Sequence, residues 1–550
     1  MAVVNQVNDD FSGALGGRDK PLTKMNFIFH ALQAICLLCG VLQLVIDPSG
    51  DGMIETLCVV ASTSLVLQYL RRSRSFNDYP VSSLAILGLC ATTQFMSLVA
   101  QTMNWKPLGH MLRVPVMTFT LLACVQVMAV ASHWFVRHSK ALQATRRFIA
   151  ERVVLPIGGF SVPSVGMIWW MAFFGAIAML VGGVSETGNV GGKFFEALSF
   201  MAYLPYMIPL YYIAFGERYC SMRKQVVFIV LYALVIVGIG MARNVRQLML
   251  IGPVQALFIY FIYSMQDARP VTKNSVKKLL VVLVLGLVAL QFVADLATAM
   301  VINRDKRRTA SPIDMVSETI ATLGDRTRIA MYRQQAFDEA LYANYDEAYI
   351  PNPVLARFSE TKFHDNMFFI STQLSDAAKE DLADVILDKI KVLLPQNVLK
   401  KLNIRLDKNR FMFSMGDYYR VLHMDEYAYG GYATGSVWAD VLNLFGWWSP
   451  VFVFGMLVLS FTLMDPLSRA KIGILNISPV ALCASWPIFI YGLGGESLVA
   501  RIGIAFREIP QRLILFVLAY WFFSLFAKPA IKVDGVSVHM DPEPTPVKTW

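Results

Sequence analysis

Arginines supply the clearest chemical signal in this chain. Arg243 and Arg246 lie three positions apart in M-A-R-N-V-R-Q-L, where two apolar runs meet with a minimal turn. Residues at that separation can share one helix face. Arg501, Arg507 and Arg512 precede the last apolar run, and Arg113 stands at the end of the fourth. A guanidinium stays charged and forms forked, charge-assisted hydrogen bonds to phosphate oxygens. The competing use of each is to anchor a helix by snorkelling into the headgroups. Arg357 is followed closely by His364 and Asp365. A histidine near its ordinary pKa can take a proton from a hydroxyl group. His423 and His110 are further histidines of this kind, although a lone loop histidine is more often simply solvated. Asp417, Asp425, Glu426 and Asp440 are alternative bases or hydroxyl acceptors.

Other chemistries lack their residues. No phosphate-cradling glycine loop, no H-E-x-x-H and no G-x-S-x-G elbow occurs. No close cluster offers three metal ligands, so neither a metal nor another cofactor is expected. Cys36 and Cys39 have C-x-x-C spacing but sit on an apolar helix without a second pair, and read as small core residues.

The elements that must position these groups are hydrophobic helices. Of 550 residues, 56% are hydrophobic and 16% charged, against about 25% charged in an ordinary soluble domain. Apolar runs recur near the roughly 20 residues that cross a bilayer. Twelve spans are predicted: 25–46, 53–70, 81–103, 114–135, 165–184, 194–215, 224–242, 245–264, 278–302, 441–464, 476–497 and 509–527. The fold class is therefore all-α and polytopic. Net charge +10 reflects a positive-inside bias and not nucleic-acid binding. Arg71, Arg72 and Arg74, then Arg137, Lys140, Arg146, Arg147 and Arg152, mark alternate connections as cytoplasmic. Both termini are then expected in the cytoplasm, with 1–24 and 528–550 as cytoplasmic segments and 303–440 as one large outer loop between spans 9 and 10.

That loop holds 18 Lys/Arg and 20 Asp/Glu and no cysteine, so it is solvated and has no disulfide framework. Its residues 313–346 read as helical, with Ile313, Val316, Ile320 and Leu323 as an apolar stripe. Residues 376–393 form a second amphipathic helix, capped by Ser375 and ended by Pro395, with Leu382, Val385, Ile386, Ile390 and Leu393 on one face. The remainder is rich in Gly, Pro, Asn and aromatics, a composition suited both to sugars and to the bilayer interface. Asp295, inside the ninth span, is an ionisable group in lipid and a functional candidate on that ground.

Three features together resemble the O-antigen and exopolysaccharide polymerases of the Wzy type. The first is about twelve spans with one large outer loop late in the chain. The second is the arginine-bearing junction 241–248. The third is T-G-S-V-W-A-D-V-L-N-L-F-G-W-W-S-P at 434–450, with Gly435, Ser436, Asp440, Phe445 and Gly446 at the matching positions. The run N-P-x-x-x-R-F-S at 352–359 is also similar to that family. The resemblance implies a GT-C-like glycosyltransferase of the bacterial inner membrane, working at the periplasmic face. It would transfer a glycan from polyprenyl diphosphate to a sugar hydroxyl of another lipid-linked repeat unit. Arg243, Arg246, Arg357, Arg501, Arg507 and Asp440 would hold the diphosphate and glycan. His364, Asp365 or His423 would supply the base. Its partners would be the lipid-linked oligosaccharide and membrane lipids, with a chain-length regulator and a flippase as further candidates. A ligase transferring finished glycan to a lipid core has the same general layout. A secondary transporter or flippase is the alternative from another class; no half-repeat and few mid-membrane charges speak for it.

Overall fold

The computed structural model describes residues 23–181, 195, 197–267, 269–342, 345–423, 428–469, 477–490 and 496–526. The predicted tail 528–550, nearly all of the predicted segment 1–24, and Asp425 and Glu426 lie outside them. The described residues are helical, with only two isolated β-bridges.

Seven of the described helices are long and apolar enough to cross a membrane. The first four are α1 (Lys24–Ile46), α2 (Gly50–Ser73), α3 (Pro80–Met103) and α4 (Pro115–His138). A helix of 24 residues is about 36 Å long and so covers about 30 Å of hydrocarbon. Side-chain caps and prolines set their starts. Ser49 Oγ accepts from Gly52 N at 3.1 Å, and Pro80 and Pro115 occupy first turns, where a missing N–H costs nothing. α5 (Val165–Val181) is apolar but shorter than a span. α6 (Met222–Ala242) and α7 (Arg246–Gln266) are the next two long helices. α8 (Lys273–Ile302) follows. The loop region carries α9 (Pro312–Gly324), α10 (Arg326–Tyr342), α11 (Thr361–Gln373) and α12 (Asp376–Val392). The seventh long helix is α13 (Val437–Leu467).

Three predicted spans are not single helices. Predicted span 194–215 is described as a 3-10 turn, Ser199–Met207, followed by a short helix, Ile208–Phe215. Pro205 and Pro209 remove two N–H donors there, so a continuous α-ladder cannot form. Predicted span 476–497 contains the short helices Pro479–Cys483 and Ser485–Ile490. Predicted span 509–527 forms Ile509–Ser524 behind a π-turn, Ile504–Glu508. Apolar composition is blind to such breaks.

The core sits on α3, whose Gly88 faces the backbone of Ser485–Ile490. A Cβ there would lie 2.2 Å from the carbonyl oxygen of Phe489, so only glycine admits this approach. α4 packs between α2 and α13. Large apolar side chains such as Leu38, Val45, Leu234 and Leu257 point outward, as a lipid-facing surface requires.

Hydrogen bonds sort the connections into two ends. At one, Lys24 pairs with Asp267, Gln266 donates to Phe76 O, and Arg146 bonds the backbone of Asp465 and Ser468. This basic face gathers segments that the charge rule assigns to the cytoplasm. At the other, Asp365 accepts from Arg113 N and Tyr349 donates to Leu108 O. This is the loop face.

The loop is more deeply packed than a solvated excursion. The predicted helix 313–346 divides at Gly324 and Asp325 into α9 and α10. Its packing side is Met315, Thr319 and Thr322, whereas the predicted stripe leaves Ile313 and Ile320 exposed. α12 forms behind its Ser375 cap, with Leu382 and Ile386 fully buried. α11 is buried almost from end to end, Thr361 through Phe368 included.

Candidate functional site

The insertion of α11 into the helix bundle has a local cause in α3. Residues Ala91–Phe95 of α3 are π-helical, which frees carbonyls from the regular ladder. Thr92 O accepts from Glu360 N at 2.8 Å, and Thr93 O accepts from Thr361 Oγ1 at 2.9 Å. Ser97 Oγ completes the dock, 2.6 Å from Ser359 Oγ and 2.5 Å from Thr361 Oγ1. Just before it, Asn352 caps the turn Pro353–Arg357 by accepting from Val354 N and Leu355 N. The run N-P-V-L-A-R-F-S therefore carries Arg357 on a capped turn and hands Glu360 to the interior.

Glu360 is buried, and burial pushes its carboxyl up to about 8, against the opposing pull of Arg357. Arg357 also acts on Arg246, as does Arg304. Three exposed guanidiniums from three segments thus share one patch at the mouth of α7. Arg243 does not join it. A left-handed turn at Asn244 (φ 50°) separates the two arginines, and Arg243 Nη1 donates to Met179 O at 2.5 Å at the end of α5.

Beside this patch opens a cavity of about 540 Å3 between α12, the 411–415 segment, the Ser199–Met207 turn and the approach to the last helix. Lys389, Glu496, Arg507 and Arg512 give it charge, and Phe200 and Phe413 give it apolar wall. Lys389 donates to Phe411 O at 3.1 Å and to Phe413 O, and its ammonium stands 4.0 Å above the Phe413 ring. Burial pulls it down to about 8, while Glu496, Asp440 and Asp417 oppose the shift. Arg512 pairs with Glu508 at 3.2 Å. Glu496 feels both Lys389 and Arg357, so the cavity and the arginine patch form one charged tract.

The remaining predicted residues lie elsewhere and mostly fasten the fold. Asp440 is buried and accepts from Tyr419 OH at 3.0 Å and from Leu498 N at 2.8 Å, tying α13 to the helix Leu498–Gly503. Asp417 accepts from Gly430 N, Tyr432 N and Ala433 N. Arg501 is 3% exposed, and its Nε and Nη2 have no partner among the described residues. Burial alone pushes it down to about 9.

His364 was expected as a solvated loop base, and its placement differs. The ring is buried, Nδ1 lies 2.8 Å from Ser436 Oγ, and Nε2 has no partner among the described residues. Burial pushes it down to about 3, so it is neutral at ordinary pH. Asp365 accepts from Arg113 N at 2.6 Å, Val114 N at 3.0 Å and Thr118 Oγ1 at 2.9 Å, which commits its carboxylate to fixing the start of α4. His423 is half-buried and edge-on to Phe369, 5.9 Å between centroids. Asp295 has a counter-ion that the span pattern could not supply: Arg333 of α10, at 3.0 Å.

Glu360, Lys389 and Glu496 were not predicted. For Lys389 a signal existed, because it interrupts the apolar stripe Leu382, Ile386, Leu393 on α12. For Glu360 and Glu496 none did. Comparison with protein-family models, with curated proteins and with solved structures finds no match.

Proposed function

We propose that this chain is a membrane glycosyltransferase, a polysaccharide polymerase that joins repeat units carried on polyprenyl diphosphate. The observation that carries this reading is the convergence of Arg246, Arg304 and Arg357 at the end of a membrane-length helix. Three like charges in one place repel one another, and a multivalent anion relieves that cost. A lipid-linked diphosphate presents its charge at the depth where these side chains stand. The neighbouring cavity, part charged and part aromatic, suits the sugar next to it.

In the proposed step, an acceptor hydroxyl oxygen attacks the anomeric carbon of the donor glycan. The bond from that carbon to the diphosphate oxygen breaks, and its electron pair leaves with the lipid diphosphate. The arginines neutralise the charge that develops there. The hydroxyl proton passes to a carboxylate. Glu360 is the acid best suited by its position next to Arg357 and by an affinity for protons matched to neutral pH. The face assignment that goes with this reading puts the loop in the periplasm of a bacterial inner membrane and both termini in the cytoplasm.

The test is the surface-glycan profile, with lipid-linked intermediates, of a strain lacking the gene and of the same strain carrying Arg246→Ala or Arg357→Ala. Single repeat units in place of a ladder support the polymerase. Accumulated lipid-linked polymer without attachment points to a ligase. An unchanged profile overturns both and leaves a transporter or flippase.

A further inference from the structure

A second cavity, of about 310 Å3, lies on the basic face, between the start of α3 and the segment that follows α4. Its lining includes Tyr79, Arg137, His138, Arg146 and Arg147, with Asp78 as the one carboxylate among the described residues there. The loop-face chemistry makes no use of it.

Its construction differs from that of a row of headgroup anchors. An anchoring arginine extends its guanidinium to water. Arg146 is instead 4% exposed. It donates to the backbone oxygens of Asp78, Asp465 and Ser468 and to Ser468 Oγ at 3.2 Å. Its guanidinium lies 4.0 Å from the Tyr79 ring centroid, and that of Arg137 lies 5.5 Å from the same centroid. Arg137 is fixed in turn by a 3.0 Å bond to Ser73 O, and its Nε is buried without a partner. Two immobilised guanidiniums thus frame one aromatic ring and form a rigid positive floor.

Around that floor, the remaining cations are uncommitted. Arg147 is exposed and makes no hydrogen bond or ion pair among the described residues. His138 is stacked on Trp134 at 4.6 Å and bonds Trp134 O through Nδ1, which holds the ring while Nε2 stays unused. The Asp78 carboxylate faces three arginines and cannot balance them. Fixed cations surrounding a small concave space at a membrane boundary are the elements of a phosphate site.

We propose that this basic-face cavity binds a phosphate group, held by Arg137, His138 and Arg147 over the floor made by Arg146 and Tyr79. The phosphate is either the headgroup of an anionic phospholipid or a free phosphate; the cavity's chemistry is the same for both. The site is independent of the glycan reading and stands whether or not the loop face transfers sugars.

The experiment uses the purified full chain in neutral detergent, with native mass spectrometry to count retained ligands. The probes are phosphatidylglycerol, phosphatidylcholine with the same acyl chains, and inorganic phosphate. Wild type is expected to retain phosphatidylglycerol over phosphatidylcholine. The paired change Arg147→Ala with His138→Ala is expected to weaken retention about tenfold, since each lost charge-assisted contact is worth about 1.5 kcal/mol or more. Both side chains are exposed, so the variant should fold. Lys140→Ala, outside the cavity on the same basic segment, should leave retention unchanged. Displacement of the lipid by millimolar phosphate assigns the site to free phosphate, and resistance to displacement assigns it to the headgroup. Equal retention by wild type and the paired variant, or an equal loss in Lys140→Ala, overturns the site.

Discussion

The backbone N–H of Glu360 donates to the carbonyl oxygen of Thr92 at 2.8 Å, and this bond sets the depth at which the loop meets the membrane helices. Thr92 O is available because α3 is π-helical over Ala91–Phe95. Glu360 then brings its side chain into the interior, one turn after Arg357 on the exposed side. A defect in one helix thus builds a charged site at the edge of the bundle. The loop residues that matter most are accordingly those next to the dock, and not those farthest from the bilayer.

The arginine patch predicts a coupled loss of function. Arg246→Ala and Arg357→Ala should each lower polymer formation by about 10- to 100-fold, the scale of one charge-assisted hydrogen bond. Membrane levels should be normal, because both side chains are exposed. The double variant should fall less than the product of the two, since both act on one anion. Arg243→Ala should instead reduce membrane levels, because Arg243 bonds Met179 O. Quantified glycan ladders normalised to immunoblots check this. Wild-type ladders from both single variants remove the diphosphate clamp.

Glu360 gives a pH signature. Its folded carboxyl titrates at about 8, against about 4.3 unfolded. Between those values the folded state holds a proton that the unfolded state has lost, so stability falls as pH rises through the window. Glu360→Gln should flatten that decline, which thermal melts of the detergent-solubilised protein from roughly pH 5 to 9 would reveal. If Glu360 is the proton acceptor, activity rises as the same carboxyl ionises, and Glu360→Gln abolishes the rise. A melting profile that Glu360→Gln leaves unaltered removes the buried acid from the argument.

These residues also mark how far the sequence could be read. The long helices α1 to α4, α6 and α7 were legible because an uninterrupted apolar run near 20 residues has few other uses. The helix α12 was legible from its Ser375 cap and its stripe. The broken segments at Pro205 and Pro479 were not, because proline reorganises a helix without lowering its hydropathy. Arg357 and Arg246 each stood out singly, but their meeting depends on the π-turn of α3, and no local pattern in A-T-T-Q-F announces one. The burial of His364 was hidden for the same reason: F-H-D-N reads as a polar loop until Ser359 and Thr361 find Ser97.

Lys389 should make ligand binding in the larger cavity depend on pH. Its ammonium is lowered to about 8 by burial, so it loses its charge as pH rises through that value. An anion held there should bind more weakly above about pH 8. Lys389→Met keeps contact with Phe413 but removes the charge, and its affinity should be low and flat with pH. Titration of a soluble diphosphate into the purified protein, followed by calorimetry, measures both. A pH-independent wild type with an unchanged Lys389→Met would show that the cavity's anion does not touch this ammonium.

His364 offers the sharpest separation of a fold role from a chemical one. Held at about 3 in the folded state, it stays neutral where an unfolded histidine, near 6.5, would take a proton. Between these values the unfolded state binds the extra proton, so this contribution to stability is present above about pH 6.5 and fades as pH falls towards 3. The ring's task is then to hold Ser436, whose hydroxyl also caps α13 through Ala439 N at 3.3 Å. His364→Ala leaves a cavity and a buried hydroxyl short of a partner, a loss of about 2–4 kcal/mol. His364→Asn restores a hydrogen-bonding group in part of that space, and should recover part of the stability. If the ring only positions the start of α13, polymer formed per folded molecule stays near wild type in His364→Asn, and yield tracks membrane level. A well-folded His364→Asn that makes no polymer would instead return this histidine to the chemistry.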